Sequence, residues 1–230
     1  MPEAREYHKI KSPFKRAVPD GPMPKSTRSF AFIEGAWTDP VFEYLQHALW
    51  RWTEKIDGTN IRIVWNGEKV FITGRTNNAQ MPGPLMHSVL IPKFTPELLA
   101  ATFPDIAPGT DRTVTLVGEG FGAGIQKVGV QYGALGFALF DVFVDDGMRA
   151  LYLENADVED IAAKMGLSLA PALGEMSLAA AMSQARTASA SRIGTAQSEG
   201  MVGRPLVEMQ NRFGERVIVK VKTTDFASPT

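Results

Sequence analysis

The sequence predicts an α+β fold with largely antiparallel sheets flanked by helices. Three observations point there. Short runs of β-branched and aromatic residues, such as "IRIVW", "KVFIT" and "RVIVKVK", recur along the chain between turn residues. The helical segments come in blocks and do not alternate strictly with strands, which argues against a parallel βαβ design. The composition, 44% hydrophobic and 21% charged over 230 residues, is that of a globular protein with a core of ordinary size. We expect a single domain over residues 1–230, with 1–30 as a basic N-terminal arm.

The elements follow in chain order. Residues 18–29, "VPDGPMPKSTRS", read as a loop. In "DPVFEYLQHALW" (39–50), Val41, Phe42, Leu45 and Leu49 stand at helical spacing, with Asp39 as N-cap and Pro40 in the first helical position. "RWTEK" reads as a strand. "IRIVW" and "KVFIT" flank Asn66-Gly67, a strong hairpin signal. Residues 112–119 and 134–144 are further strands, and Asp146-Gly147 marks the next turn. "NADVEDIAAKM" (155–165) is the best helix, with Asn155 or Asp157 to cap it and Gly166 to end it. Residues 177–188 are helical by propensity. "EGMVGRPL" and "RVIVKVK" are the last strands. No internal repeat or low-complexity tract is present.

Several function classes fall away early. The chain has no cysteine, which excludes disulfides and thiolate metal sites. No apolar run approaches the roughly 18–20 residues needed to span a bilayer. "MPEAREYHKIKSPFKR" lacks the apolar stretch of a secretory leader, so a cytoplasmic protein with no membrane role is the default. The formal net charge is -1, so any nucleic-acid site must be a local patch. Residues 8–28 hold Lys9, Lys11, Lys15, Arg16, Lys25 and Arg28 against Asp20 alone, which on charge reads as a solvated arm.

Chemistry gathers around one lysine. Lys55 in "EKIDGTN" follows an aromatic run containing Trp50 and Trp52 and precedes Ile56. A free lysine amine is protonated at neutral pH and is then no nucleophile. Desolvation or a neighbouring cation can change that, and lysines so placed form covalent intermediates. The plain alternative is a turn at Asp57-Gly58 with an exposed lysine. "LVGEGFGAGIQKVG" ends a strand with Glu119 and bends through glycines that let backbone approach a ligand, although no Walker loop is present. Strand alternation puts Phe140 and Asp141 on opposite faces. Glu199 starts another strand. Lys220 and Lys222, two apart, share one strand face, either as a solvated edge or to meet phosphates. With Arg75, these are the groups that nucleotidyl transfer needs. Cations must neutralise the phosphoryl oxygens and the departing pyrophosphate, and a carboxylate-held divalent metal supplies part of that.

These residues also resemble a family. "EKIDGTN" resembles the K-x-D-G motif of the covalent nucleotidyltransferases: DNA ligases, RNA ligases and messenger-RNA capping enzymes. "GRTN", "VGEGFGAGIQK", "FALFDVF", "EGMVGRP" and "VIVKVKTTDF" resemble its later motifs, in its order, over roughly residues 50–226. "TEKIDGTN" and the long "GEGFGAGIQK" are similar to the ATP-dependent RNA ligase branch, as is the N-terminal "YHKIKSPFKR". The resemblance implies a nucleotidyltransferase (ATP-grasp-like ligase adenylylation) fold. It also implies ATP as AMP donor, Mg2+ or Mn2+, and RNA with 3′-OH and 5′-phosphate ends, as in RNA repair.

By the same resemblance, Lys55 would attack the α-phosphate of ATP and carry AMP. Glu54 would contact the adenine edge and Phe140 would stack on it. Ile56, Asp57, Gly58 and Asn60 would shape the phosphate and ribose surroundings, and Gln126 would stand near them. Arg75 would bind ribose or a 5′-phosphate, and Glu119 a ribose hydroxyl. Glu199 would help hold the metal, and Lys220 and Lys222 would grip the triphosphate. The chain stops at Thr230, soon after the last motif. The expectation is therefore no C-terminal OB domain, with a partner protein or the basic arm supplying RNA contacts. DNA ligation, another covalent transfer, and a non-catalytic nucleotide- or RNA-binding module are the alternatives.

Overall fold

The computed structural model describes residues 5–18 and 30–226. Most of the loop expected at 18–29, including Asp20, Lys25 and Arg28, lies outside the described residues. The strands are β1 (Phe14–Arg16), β2 (Phe32–Trp37), β3 (Leu49–Glu54), β4 (Thr59–Trp65), β5 (Val70–Gly74), β6 (Thr113–Phe121), β7 (Gly136–Asp145), β8 (Ala150–Tyr152), β9 (Ser168–Leu169), β10 (Ala172–Ser177), β11 (Gly200–Pro205) and β12 (Val219–Lys222). The chain divides into two compact units. In their described parts, the first holds residues 5–8, 56–170 and 193–196, and the second 9–18, 30–55, 171–192 and 197–226.

The first unit is built on a sheet in the order β5-β4-β6-β7-β8, with β9 added to β7. All its pairs are antiparallel except β7 with β9. Alternation along β4 sends Ile61, Ile63 and Trp65 to one face. There they meet Val114 and Leu116 of β6, Leu85, Leu90 and Leu99 from the helical stretch over 83–102, and Val158, Ile161 and Met165 of the helix Asn155–Met165. Each fully buried side chain of this kind contributes about 1.5–3 kcal/mol. The opposite face carries Asn60, Arg62 and Val64 of β4, with Glu119 as the cross-strand partner of Asn60.

β7 departs from simple alternation. Val117 pairs with Asp141 and Gly118 with Leu139, so Phe140 is an extra residue with no partner on β6. Such a bulge shifts the alternation by one residue. Leu139 and Val142 stay in the core, whereas Phe140 and Asp141 both reach the polar face, where Tyr7 touches each of them. This corrects the expectation of opposite faces.

The second unit holds a four-stranded antiparallel sheet in the order β10-β3-β11-β12 and the pair β1-β2. Trp50 and Trp52 of β3, Met201 of β11 and Val219 and Val221 of β12 form its core with Phe42, Leu178 and Ala181. The indole N–H groups of Trp50 and Trp52 donate to the carbonyls of Leu45 and Met176, so neither is buried unsatisfied. Lys220 and Lys222 alternate with the buried valines, as the sequence predicts.

Three helix readings change. The helix expected over 39–50 ends at Tyr44, because Leu49 and Trp50 are taken into β3. Asp39 does cap it, accepting from Val41 N. The helix Asn155–Met165 starts after Glu154, with no side-chain cap. The helix expected over 177–188 is Leu178–Gln184, capped by Ser177. Two residues of the basic segment are also held in ion pairs. Lys11 pairs with Asp39 and Glu215, and Arg16 pairs with Asp225 while lying 4.4 Å from the centroid of the Phe32 ring.

Candidate active site

Lys55 follows the last residue of β3, and its N–H donates to the carbonyl of Gly200 at the start of β11. Gly200 has φ +144, and a Cβ there would lie 2.1 Å from the carbonyl oxygen of Val221. Only glycine lets β11 close on β12 at this point. Glu199 is held just before that approach, its carbonyl accepting from Thr223 N at 3.1 Å.

The result is a compact charge cluster in the second unit. Lys55 Nζ donates to Glu199 Oε2 at 2.6 Å, and Lys222 Nζ donates to Glu199 Oε1. The side chains of Lys55, Glu199 and Lys222 are only 23%, 17% and 17% exposed. Burial by itself would raise the Glu199 carboxyl, but the charge of Lys55 and the hydrogen bonds from Lys222 and Lys55 outweigh it and hold the group below its ordinary range. Lys220 shares the strand face of Lys222. Two lysines on one carboxylate leave a positive excess suited to a polyphosphate.

Glu54 is 3% exposed, and its carboxylate oxygens accept from Ser191 Oγ at 2.5 Å and Arg192 N at 2.7 Å. It therefore clamps the segment that precedes β11. Sequence reading missed Ser191 and Arg192, which sit in a serine- and alanine-rich stretch with no local signal beyond turn propensity.

The first unit carries the remaining expected residues. Asp57 and Gly58 form a bend ahead of β4, as predicted. Tyr132 Oη accepts from Asp57 N at 3.1 Å, and Gln126 donates to the Gly58 carbonyl at 3.0 Å. A Cβ on Gly58 would lie 2.3 Å from the carbonyl oxygen of Gly120, so the bend packs directly on β6. The side chain of Ile56 is buried with Tyr132 and Ala138. Asn60 and Glu119 face each other across β4 and β6. Asn60 Oδ1 is buried with no hydrogen-bond partner among the described residues, an acceptor that a ligand hydroxyl could satisfy. Phe140 is half-buried, and Arg75, just beyond β5, is exposed.

Among the described residues, no group of three or more His, Asp or Glu side chains could hold a metal unaided. Glu199 could supply one carboxylate to a hard divalent ion that arrives with a nucleotide, because Mg2+ is commonly held by one or two carboxylates, substrate phosphates and water. No helix among the described residues is long and apolar enough to cross a membrane.

The chain resembles the RNA ligase of Naegleria gruberi solved as a lysine-to-alanine mutant with ATP and Mn, at 16% identity and a TM-score of 0.58, over 80% of this chain and 52% of that one. Against the same ligase solved with PPi the values are 19% and 0.59, over 87% and 61%. The likeness is one of fold, and the chain spans about half the length of the first of these neighbours. No curated protein matches it. The RNA ligase family model matches residues 49–222, most of the chain and every expected site residue, and the chain belongs to the RNA ligase family.

Proposed function

We propose that the chain is an ATP-dependent RNA ligase that works through a lysyl-AMP intermediate. The observation that carries this reading is the Lys55–Glu199–Lys222 cluster, with Lys220 on the same strand face. In the first step the Lys55 amine gives its electron pair to the α-phosphorus of ATP. An N–P bond forms, the bond to the bridging oxygen breaks, pyrophosphate leaves and the amine loses a proton. Glu199 neutralises the lysines until substrate arrives, and Lys220 and Lys222 balance the charge of the triphosphate and the leaving group. Mg2+ or Mn2+ at Glu199 would add charge neutralisation at the phosphates.

The other roles are assigned residue by residue. Asn60 and Glu119 take ribose hydroxyls, Phe140 stacks on the base, and Arg75 meets ribose or the incoming 5′-phosphate. Asp57 and Gly58 shape the phosphate surroundings. Glu54 acts on the base through the segment it clamps. AMP then passes to the 5′-phosphate of RNA, and a 3′-hydroxyl displaces it as the strand is sealed. Each step is an in-line attack on phosphorus, so one set of cations serves all three.

The test is intact mass after incubation with each nucleoside triphosphate and a divalent metal. A gain of one AMP, stable to alkali, lost in acid and absent in Lys55→Ala, supports the reading. An adduct that survives in Lys55→Ala rejects Lys55 as nucleophile. ATP binding with no adduct in the wild type points to a non-catalytic module. Sealing assays on nicked RNA, nicked DNA and single-stranded RNA then separate the substrates.

A further inference from the structure

We propose that Tyr7 is a positioning residue for the nucleotide, setting the orientation of Phe140 and the path of Arg75. This rests on the reading of Phe140 and Arg75 as nucleotide contacts.

Tyr7 opens the N-terminal "YHKIKSPFKR", well ahead of the motifs from Glu54 onward, yet it is only 5% exposed and meets three residues of the first unit. Its hydroxyl donates to Asp141 Oδ2 at 2.9 Å. Its ring meets the Phe140 ring edge-on, with centroids 5.8 Å apart. Its N–H donates to the Arg75 carbonyl at 3.3 Å. Phe140 is the bulge residue of β7, so the β6 ladder does not fix its backbone. Its ring direction then depends on what packs beside it, and Tyr7 supplies that wall.

The segment that carries Tyr7 is itself anchored on both sides. Arg5 Nε donates to Asp145 at 2.6 Å, and His8 Nδ1 lies 3.3 Å from the hydroxyl of Tyr152. Beneath it Arg62, fully buried, donates to the carbonyls of Arg5 and Gly74 and to Asn77 Oδ1. One guanidinium thus joins the N-terminal segment to the turn that bears Arg75. A buried arginine aimed at backbone carbonyls fixes where that segment runs, because moving it strands several charged donors. With the backbone held on either side, the Tyr7 ring is directed at Phe140 and Asp141.

ATP titrations of adduct formation by the wild type, Tyr7→Phe and Tyr7→Leu test this. Tyr7→Phe keeps the ring and so the packing. Loss of its bond to Asp141 should raise KM for ATP about threefold to tenfold with kcat nearly unchanged. Tyr7→Leu removes the wall beside Phe140 and should raise KM further and narrow the preference for ATP over GTP. Variants that lose only thermal stability, with KM and nucleotide preference unchanged, overturn the proposal. ATP affinity by equilibrium dialysis, compared between Lys55→Ala and Lys55→Ala with Tyr7→Leu, gives a reading free of chemistry. Equal affinities there sink the Tyr7 role even if lysyl-AMP forms. A weakened affinity supports it even if the covalent mechanism fails.

Discussion

Lys55 and Glu199 stand 144 positions apart in the chain, and their side chains meet at 2.6 Å. A lysine held against a carboxylate, with a second lysine on the other oxygen, has its charge partly neutralised. In the proposed reaction, substrate phosphates would compete with Glu199 for the same ammonium groups. Glu199 would then be a counter-charge before substrate binds and free for other work afterwards.

Glu199→Gln should therefore weaken both fold and reaction. Lys55 and Lys222 would face each other with no intervening charge. The pairs are partly exposed, so the stability loss should be about 1–2 kcal/mol, below that for a fully buried pair. Urea denaturation measures it. Adduct formation should fall at least about tenfold, a barrier change of about 1.4 kcal/mol. Wild-type stability together with wild-type rate would remove Glu199 from the cluster's work.

The same pair sets an acid limit. The folded Glu199 carboxyl sits below its ordinary value of 4.5, so the folded state binds its proton more weakly than the unfolded chain does. Its contribution to stability is complete above that ordinary value and is lost as pH falls through the lower folded value. Melting temperature of the wild type should drop through this acid window more steeply than that of Glu199→Gln. Parallel curves for the two proteins would contradict the assignment.

Lys222→Ala should cut adduct formation at least about tenfold while leaving the fold intact, since Glu199 keeps its pair with Lys55. The buried Val219 and Val221 on the other face of β12 keep the strand in place. Circular dichroism and single-turnover labelling with ATP check the two halves of this statement. A normal rate would return the lysine pair to the plain reading of a solvated strand edge.

Much of the local structure is legible in the sequence, because its causes are local. The lysine pair on β12, the Asn66-Gly67 hairpin and the bend at Asp57-Gly58 each follow from residue types within a few positions. What failed was non-local. The bulge at Phe140 arises from how β6 meets β7, and no residue in "FALFDVF" announces it. Leu49 fits a helical stripe, but its neighbour Trp50 is claimed by a core made with Leu178 and Val219, so the strand wins. Ser191 gains its role only by reaching Glu54, 137 positions away. The helical stretch over 83–102 was not among the elements read from the sequence, and Pro84, Pro92 and Pro96 stand in the first turns of its short helices.

Glu54 separates a direct contact from a clamp. Both of its oxygens already accept hydrogen bonds, from a serine hydroxyl and a backbone N–H. Glu54→Ala would remove the acceptor of a buried serine hydroxyl and of a part-buried backbone N–H and should cost about 2–4 kcal/mol of stability. Glu54→Gln can keep its amide oxygen on Arg192 N and turn its amide N–H toward Ser191 Oγ, a hydroxyl that can also accept. The glutamine variant should thus recover most of the stability, to within about 1 kcal/mol. Ser191→Ala alone should cost about 1 kcal/mol, and combined with Glu54→Ala it should add much less than its own effect, because the two share one bond. Chemical denaturation without nucleotide measures all four. If Glu54→Ala proves as stable as the wild type and changes only which nucleotide is used, the carboxylate reads the base directly and the clamp is not its role.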